Sequence, residues 1–239
     1  MNHRRNDPNL YRLLRLVGRP FRYQVLGLEH VVSGRPALYA GNHLGSIGPV
    51  ATLLSVPAHF HPWVIADMAD PQRAARYLYH DFVEPVWKLR GRAGMAVAFL
   101  VSRISLALIR GLEGVAVDRA DARIVVAFRR SLGHLRRGEA ILVFPEDGKL
   151  SADPITGLRP FHCNFIGLGY LFERETGRPL PIHPLAIHAG SRRIAIGPAL
   201  YFADHNDRRG EIARLCGTLR AQVADLYRRL DETPAAPPG

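Results

Sequence analysis

At 239 residues the chain is long enough to bury a substantial core, and its 47% hydrophobic and 22% charged composition excludes bulk disorder. With 32 Lys and Arg against 21 Asp and Glu, a formal charge of +11 draws it toward phosphate-rich partners such as nucleic acid or an anionic bilayer. Cys163 and Cys216 are the only cysteines, so no disulfide framework is implied and a reducing compartment is the simpler reading.

Residues 8–18 place Leu10, Leu13, Leu14 and Val17 at helical spacing with Arg12 and Arg15 between them, which predicts a short amphipathic helix. Residues 1–23 hold six arginines and one acid, Asp7. This basic segment is suited to lie on an anionic membrane with its leucines inserted, or to dock on its own core with solvated arginines.

Short apolar runs at 37–40 and 63–66, bounded by Gly or Pro, predict strands, with a helix between them from about Pro49. The alternation continues with a helix over 94–112, a strand over 114–117, a helix over 121–136 and a strand over 140–144. Repeated β-α alternation argues for a largely parallel sheet. Beyond it come a helix over 163–175, a strand over 181–188, a further strand over 192–197 able to pair with it, and a closing helix over 207–230. That last helix spaces Ile212, Leu215, Leu219, Val223, Leu226 and Leu230 three or four apart.

The expected fold class is α/β: one domain over 24–232 with a mainly parallel, twisted sheet flanked by helices, followed by a disordered tail at 233–239. No uninterrupted apolar run reaches the roughly 18–20 residues of a membrane span. The nearest, Gly94 to Leu112, is interrupted by Arg103 and Arg110. The N-terminus lacks the apolar core of a signal peptide, so the chain is expected to start near Met1 and to meet a membrane only peripherally.

Asn42 and His43 end a predicted strand just ahead of a predicted helix, where open α/β sheets expose residues to ligands. A histidine there is suited to act as a base, although a lone one also serves in packing. Phe144-Pro145-Glu146-Asp147-Gly148-Lys149 likewise ends a strand, and its Pro and Gly turn the chain so that Glu146 and Lys149 sit at the strand's carboxyl end.

Other chemistries fit less well. A nucleophile elbow needs glycine where Leu44 stands. His59 and His61 lack a third ligand at metal spacing, so no metal is expected. Aromatic residues are 8% of the chain and do not stripe a basic strand, so nucleic acid is not an expected partner.

Four segments in order resemble the glycerolipid acyltransferase family, which includes the lysophosphatidate acyltransferases. Asn42-His43 resembles the catalytic block, Gly114 to Arg119 the second block, Phe144-Pro145-Glu146 the third, and Leu180 to Ile187 the fourth. The resemblance implies transfer of an acyl group from acyl-CoA or acyl carrier protein to the hydroxyl of a lysophospholipid-type acceptor. It implies no cofactor and a cytoplasmic protein, peripheral on the inner face of an anionic membrane.

In that comparison His43 is the base, while Asn42, Arg119, Glu146, Lys149 and Pro184 bind substrate. The family carries an aspartate five positions after the histidine, and here that position is Gly48. Ser46 is one candidate to orient His43 in its place, and Asp67, Asp81 or Glu84 is another. The third possibility is a catalytically silent protein that binds lipid or an acyl carrier.

Overall fold

The computed structural model describes residues 18–232, apart from Ser33, Ser46, Arg119, Ala120, Lys149, Ile155 and His205. The predicted helix over 8–18 and the tail at 233–239 lie outside the described residues, apart from Gly18. In chain order the elements are β1 (Gln24–Leu26), β2 (Ala37–Gly41), α1 (Ile47–Ser55), β3 (Phe60–Ile65), α2 (Ala66–Ala69), α3 (Ala74–Leu78), α4 (Glu84–Trp87), α5 (Gly91–Gly111), β4 (Val115–Val117), α6 (Asp121–Arg136), β5 (Ala140–Val143), α7 (Gly167–Thr176), β6 (Ile182–His188), β7 (Arg193–Ile196) and α8 (Arg208–Glu232). The class is the expected one, α/β with a mainly parallel sheet flanked by helices. The chain groups into two compact units, divided at Phe60/His61 and Ala127/Phe128.

The larger unit holds five strands in the order β1-β7-β6-β2-β5. Every neighbouring pair is parallel except β6 and β7, which run antiparallel as a hairpin. Alternate residues of each strand face opposite sides. Leu185, Ile187, Ile194 and Ile196 join Tyr39, Ala51, Val56 and Leu142 on the α1 side, whereas Ala186 and Ala195 meet Leu158, Val223 and Leu230 on the α8 side. The short edge strand β1 was not foreseen, because three half-exposed residues make no periodic pattern.

The closing helix α8 starts on a buried acid. Glu211 accepts from Arg214 Nε at 2.6 Å and Nη2 at 2.7 Å, and from the Ala203 backbone N–H at 2.9 Å. The guanidinium beside it is the main reason its carboxyl is held down at about 2, from an ordinary 4.5. A depressed carboxyl stabilises the fold above the ordinary value and loses that contribution as pH falls from about 4.5 toward 2. Glu211→Gln therefore flattens this acid limb of an unfolding-versus-pH curve, while the limb keeps its slope in wild type.

Cys163 and Cys216 form a disulfide that ties the 3-10 turn Cys163–Ile166 to α8, correcting the expectation of two unpaired thiols. Their Cα atoms are 5.7 Å apart across a sequence separation of 53. That approach is created by the packing of α8, and no local spacing encodes it.

In the smaller unit β3 and β4 pair in parallel, with Trp63 opposite Val115. The predicted strand at 63–66 begins three residues early, at Phe60, and ends at Ile65. The polar stretch 66–87 folds as α2, α3, a π-turn over Tyr79–Val83 and α4. These helices are too short to show a hydrophobic period in sequence.

Helix α5 begins at Gly91, and its buried residues Gly94, Ala98, Ser102 and Leu106 form one stripe. Among the described residues it is the one helix long and apolar enough to cross a membrane by length and composition. It coincides with the nearest candidate read from the sequence, Gly94 to Leu112, and Arg103 and Arg110 still interrupt its apolar run.

Candidate active site

The site is built where β2 and β5, neighbours in the larger unit, reach their carboxyl ends. At the end of β2 a side chain on Gly41 would collide with the carbonyl oxygen of Leu185, so glycine permits the close approach of β6. Asn42 follows, buried, and its amide behaves like a peptide group. Its Nδ2 donates to Ile187 O at 3.0 Å, and its Oδ1 accepts from Ile187 N–H at 2.8 Å. Both ends of the amide are thus engaged in pinning β2 to β6.

His43 is the first exposed residue beyond this clamp. Its ring meets that of Phe144 edge-on, with centroids 5.6 Å apart and planes at 90°. Its backbone N–H donates to Glu146 Oε2 at 2.9 Å. The other carboxylate oxygen, Oε1, accepts from Arg159 N–H at 3.1 Å. Glu146 therefore links the end of β5 to the segment carrying His43 and to the returning loop.

That loop is closed by backbone pairing. Glu146 bridges Phe161, Asp147 N–H donates to Pro160 O at 2.8 Å and His162 N–H to Pro145 O at 2.8 Å. The Arg159 guanidinium donates to Gly148 O at 3.3 Å. Burial pushes the Glu146 carboxyl above its ordinary value. The N–H groups of His43 and Arg159 and the charges of Arg159 and Arg220 oppose that rise. On α8, burial first, then Asp231 and Glu146, raise the Tyr227 hydroxyl.

Of the residues singled out in the sequence, the structure brings Asn42, His43 and Glu146 together. Pro184 is buried within β6 opposite Ala40, and its carbonyl accepts from Gly197 N–H at 2.9 Å. Ser46, Arg119 and Lys149 lie outside the described residues. The acids considered as substitute orienters are engaged within the smaller unit. Asp67 meets Arg73 at 2.7 Å, Tyr77 Oη donates to Asp81 at 3.0 Å, and Glu84 meets Arg90 at 3.6 Å.

Gly48 is buried in the first turn of α1. A Cβ there would lie 3.3 Å from Ile187 Cδ1, 3.5 Å from Leu44 Cβ and 3.8 Å from the carbonyl oxygen of Asn42. The position thus points at the segment that carries His43.

Sequence reasoning missed the contribution of Arg159, whose backbone N–H holds Glu146, and the inward placing of Tyr227 on α8. Tyr227 lies four residues after the buried Val223, which is the signal that places it on the inner side of α8. The smaller unit has its own open depression of about 590 Å³, lined by Ala66, Asp70, Arg73 and Ala116 among others. Its cation is already spanned by acids, Arg73 meeting Asp67 at 2.7 Å and Asp70 at 3.0 Å.

No protein-family model and no curated protein sequence matches the chain. Among solved structures, it is similar to the crystal structure of the 1-acyl-sn-glycerophosphate (LPA) acyltransferase PlsC from Thermotoga maritima. The TM-score is 0.59 at 15% sequence identity, over 95% of this chain and 82% of that one. The chain has the PlsC fold. At this identity the likeness is one of backbone architecture: the frame is shared, and chemistry resides in the side chains that each chain mounts on it.

Proposed function

We propose that the protein is an acyltransferase that moves a fatty acyl group from acyl-CoA or acyl carrier protein to the hydroxyl of a lysophospholipid-type acceptor such as 1-acylglycerol-3-phosphate. The observation that carries this reading is the bond from His43 N–H to Glu146 Oε2 at 2.9 Å, which joins the ends of two parallel strands into one site. The PlsC fold supports it.

In this reading the His43 imidazole takes the proton of the acceptor hydroxyl as the hydroxyl oxygen attacks the thioester carbon. The tetrahedral intermediate collapses with cleavage of the C–S bond, and the imidazolium returns the proton to the departing thiolate. Arg119 and Lys149 are assigned to the acceptor's polar group, where a phosphate suits guanidinium and ammonium. Pro184 is assigned to the wall of the substrate cleft.

The test is an acyl-transfer assay with the purified full chain, lysophosphatidate as acceptor, and acyl-CoA and acyl carrier protein as alternative donors. Phosphatidate detected by mass spectrometry is the expected result. The absence of any diacyl product with either donor, across a panel of lysophospholipids, would overturn the enzyme reading.

Gly48 favours a second reading, a catalytically silent protein that binds lipid or an acyl carrier. The two are separated by Gly48→Asp. In this reading a carboxylate at position 48 would take the part of the family's aspartate, orienting His43 and stabilising its protonated form. Loss of the orienting acid in a well-studied triad costs about 10⁴ in kcat. We therefore expect Gly48→Asp to raise kcat at least about tenfold, within that ceiling, and Gly48→Ala to leave it unchanged. A fall in activity on Gly48→Asp would mean that another group already orients His43.

A further inference from the structure

We propose that α5 and the turn leading into it dock the protein on an anionic lipid bilayer, with the helix lying in the plane of the surface. The inference stands apart from the acyl-transfer reading, because it rests on the outer side of one helix.

The inner stripe of α5 is occupied: Gly94, Ala98, Ser102 and Leu106 are buried in the smaller unit, where the helix packs on α3 and the π-turn. A helix held this way along its length cannot be surrounded by lipid, which argues for an in-plane arrangement and against a span. The opposite side is apolar rather than polar. Leu100 is 63% exposed and Ile104 56%, while Phe99, 59% exposed, lies nearer the buried stripe on the other flank of the helix's arginines. Exposed side chains of this size are unusual when they cluster on one helix of a soluble protein.

Charge complementarity selects the occupant. Gly91–Gly111 contains Arg92, Arg103 and Arg110 and no Asp or Glu. At about 100° per residue the three arginines fall within about 20° of one another, forming one line beside Leu100 and Ile104. An apolar face bordered by a single line of cations is the pattern of an interfacial helix, whose arginines reach phosphates while the apolar side chains enter the acyl boundary.

The approach to the helix has the same character. Trp87 is 46% exposed and Val86 57%, with Lys88 and Arg90 following. Tryptophan is favoured at the headgroup level, where an apolar ring with one polar N–H is at home. The one acid of this turn, Glu84, is paired with Arg90 at 3.6 Å.

The experiment is flotation of the full chain with vesicles of 70% phosphatidylcholine and 30% phosphatidylglycerol, against phosphatidylcholine alone. Wild type is expected to float with the anionic vesicles. Leu100→Glu with Ile104→Glu should lower apparent affinity at least about tenfold with an unchanged thermal midpoint, since both side chains are exposed. Arg103→Gln with Arg110→Gln should weaken binding to the anionic vesicles only. In a Trp63→Phe background, brominated lipid should quench Trp87.

The proposal is overturned if the folded Leu100→Glu/Ile104→Glu protein floats like wild type, which would move docking to another surface such as the basic residues 1–23. It is equally overturned if wild type fails to float and instead self-associates with concentration, the face then being covered by a second copy. Flotation needs no turnover, so a protein that floats but transfers no acyl group separates failure of the catalytic reading from failure of this one.

Discussion

His43→Ala is expected to lower acyl transfer by about 10³-fold, the middle of the range for removal of a positioned general base. The substitution is informative because of how the residue is held. The contact to Glu146 is made by the backbone N–H of His43, and alanine retains it. The side chain is exposed, so the stability change should stay within about 0.5 kcal/mol, as for a surface substitution. The edge-on ring contact with Phe144 is lost. Loss of turnover with an unchanged melting temperature would therefore report the imidazole itself. Equal rates for wild type and variant would remove His43 as the base.

Glu146→Gln is the second large effect. The carboxylate uses one oxygen for the His43 N–H and the other for the Arg159 N–H. A glutamine offers one acceptor, so one of these solvent-accessible backbone donors loses its protein partner, at a cost of about 0.5–1.5 kcal/mol. Misplacement of a reacting group by about 1 Å costs on the order of 10²-fold in rate, and this is the fall expected in kcat. The family resemblance assigns Glu146 to acceptor binding, which would appear as a raised KM with kcat preserved. The geometry on both oxygens leads us to expect the kcat effect.

The pH dependence follows from burial. A carboxyl raised above its ordinary value holds its proton more tightly in the fold, so its contribution to stability is complete below the ordinary carboxylate range and declines as pH rises through the raised value. Glu146→Gln should abolish that decline. Unfolding curves collected across this range, with wild type alongside, check the sign.

Much of the frame was legible because buried parallel strands leave continuous apolar runs bounded by turn residues. The strands at β2, β5 and β6 appear in the sequence as such runs, and α6 occupies the predicted 121–136. The carboxyl-end placement of Asn42, His43 and Glu146 followed from the same reasoning. What was not legible depends on tertiary approach. Arg159 comes to Glu146 only after the returning loop has packed, and Cys163 meets Cys216 only after α8 has packed. The outward apolar side of α5 was hidden differently. Read linearly, Arg103 and Arg110 seem to break the run, but wound into a helix they gather on one line and leave its neighbour uninterrupted.

Asn42 lengthens the ladder between β2 and β6 by one rung made from a side chain, and a rung of that kind is open to loss of ammonia without any cut in the main chain. Hydrolytic loss of ammonia from its amide would leave two acceptor oxygens, one of them facing the carbonyl of Ile187. The ladder would then open at the point from which the His43 segment departs. An ageing reaction at a single buried amide would in this way retire the site while leaving the rest of the sheet in place.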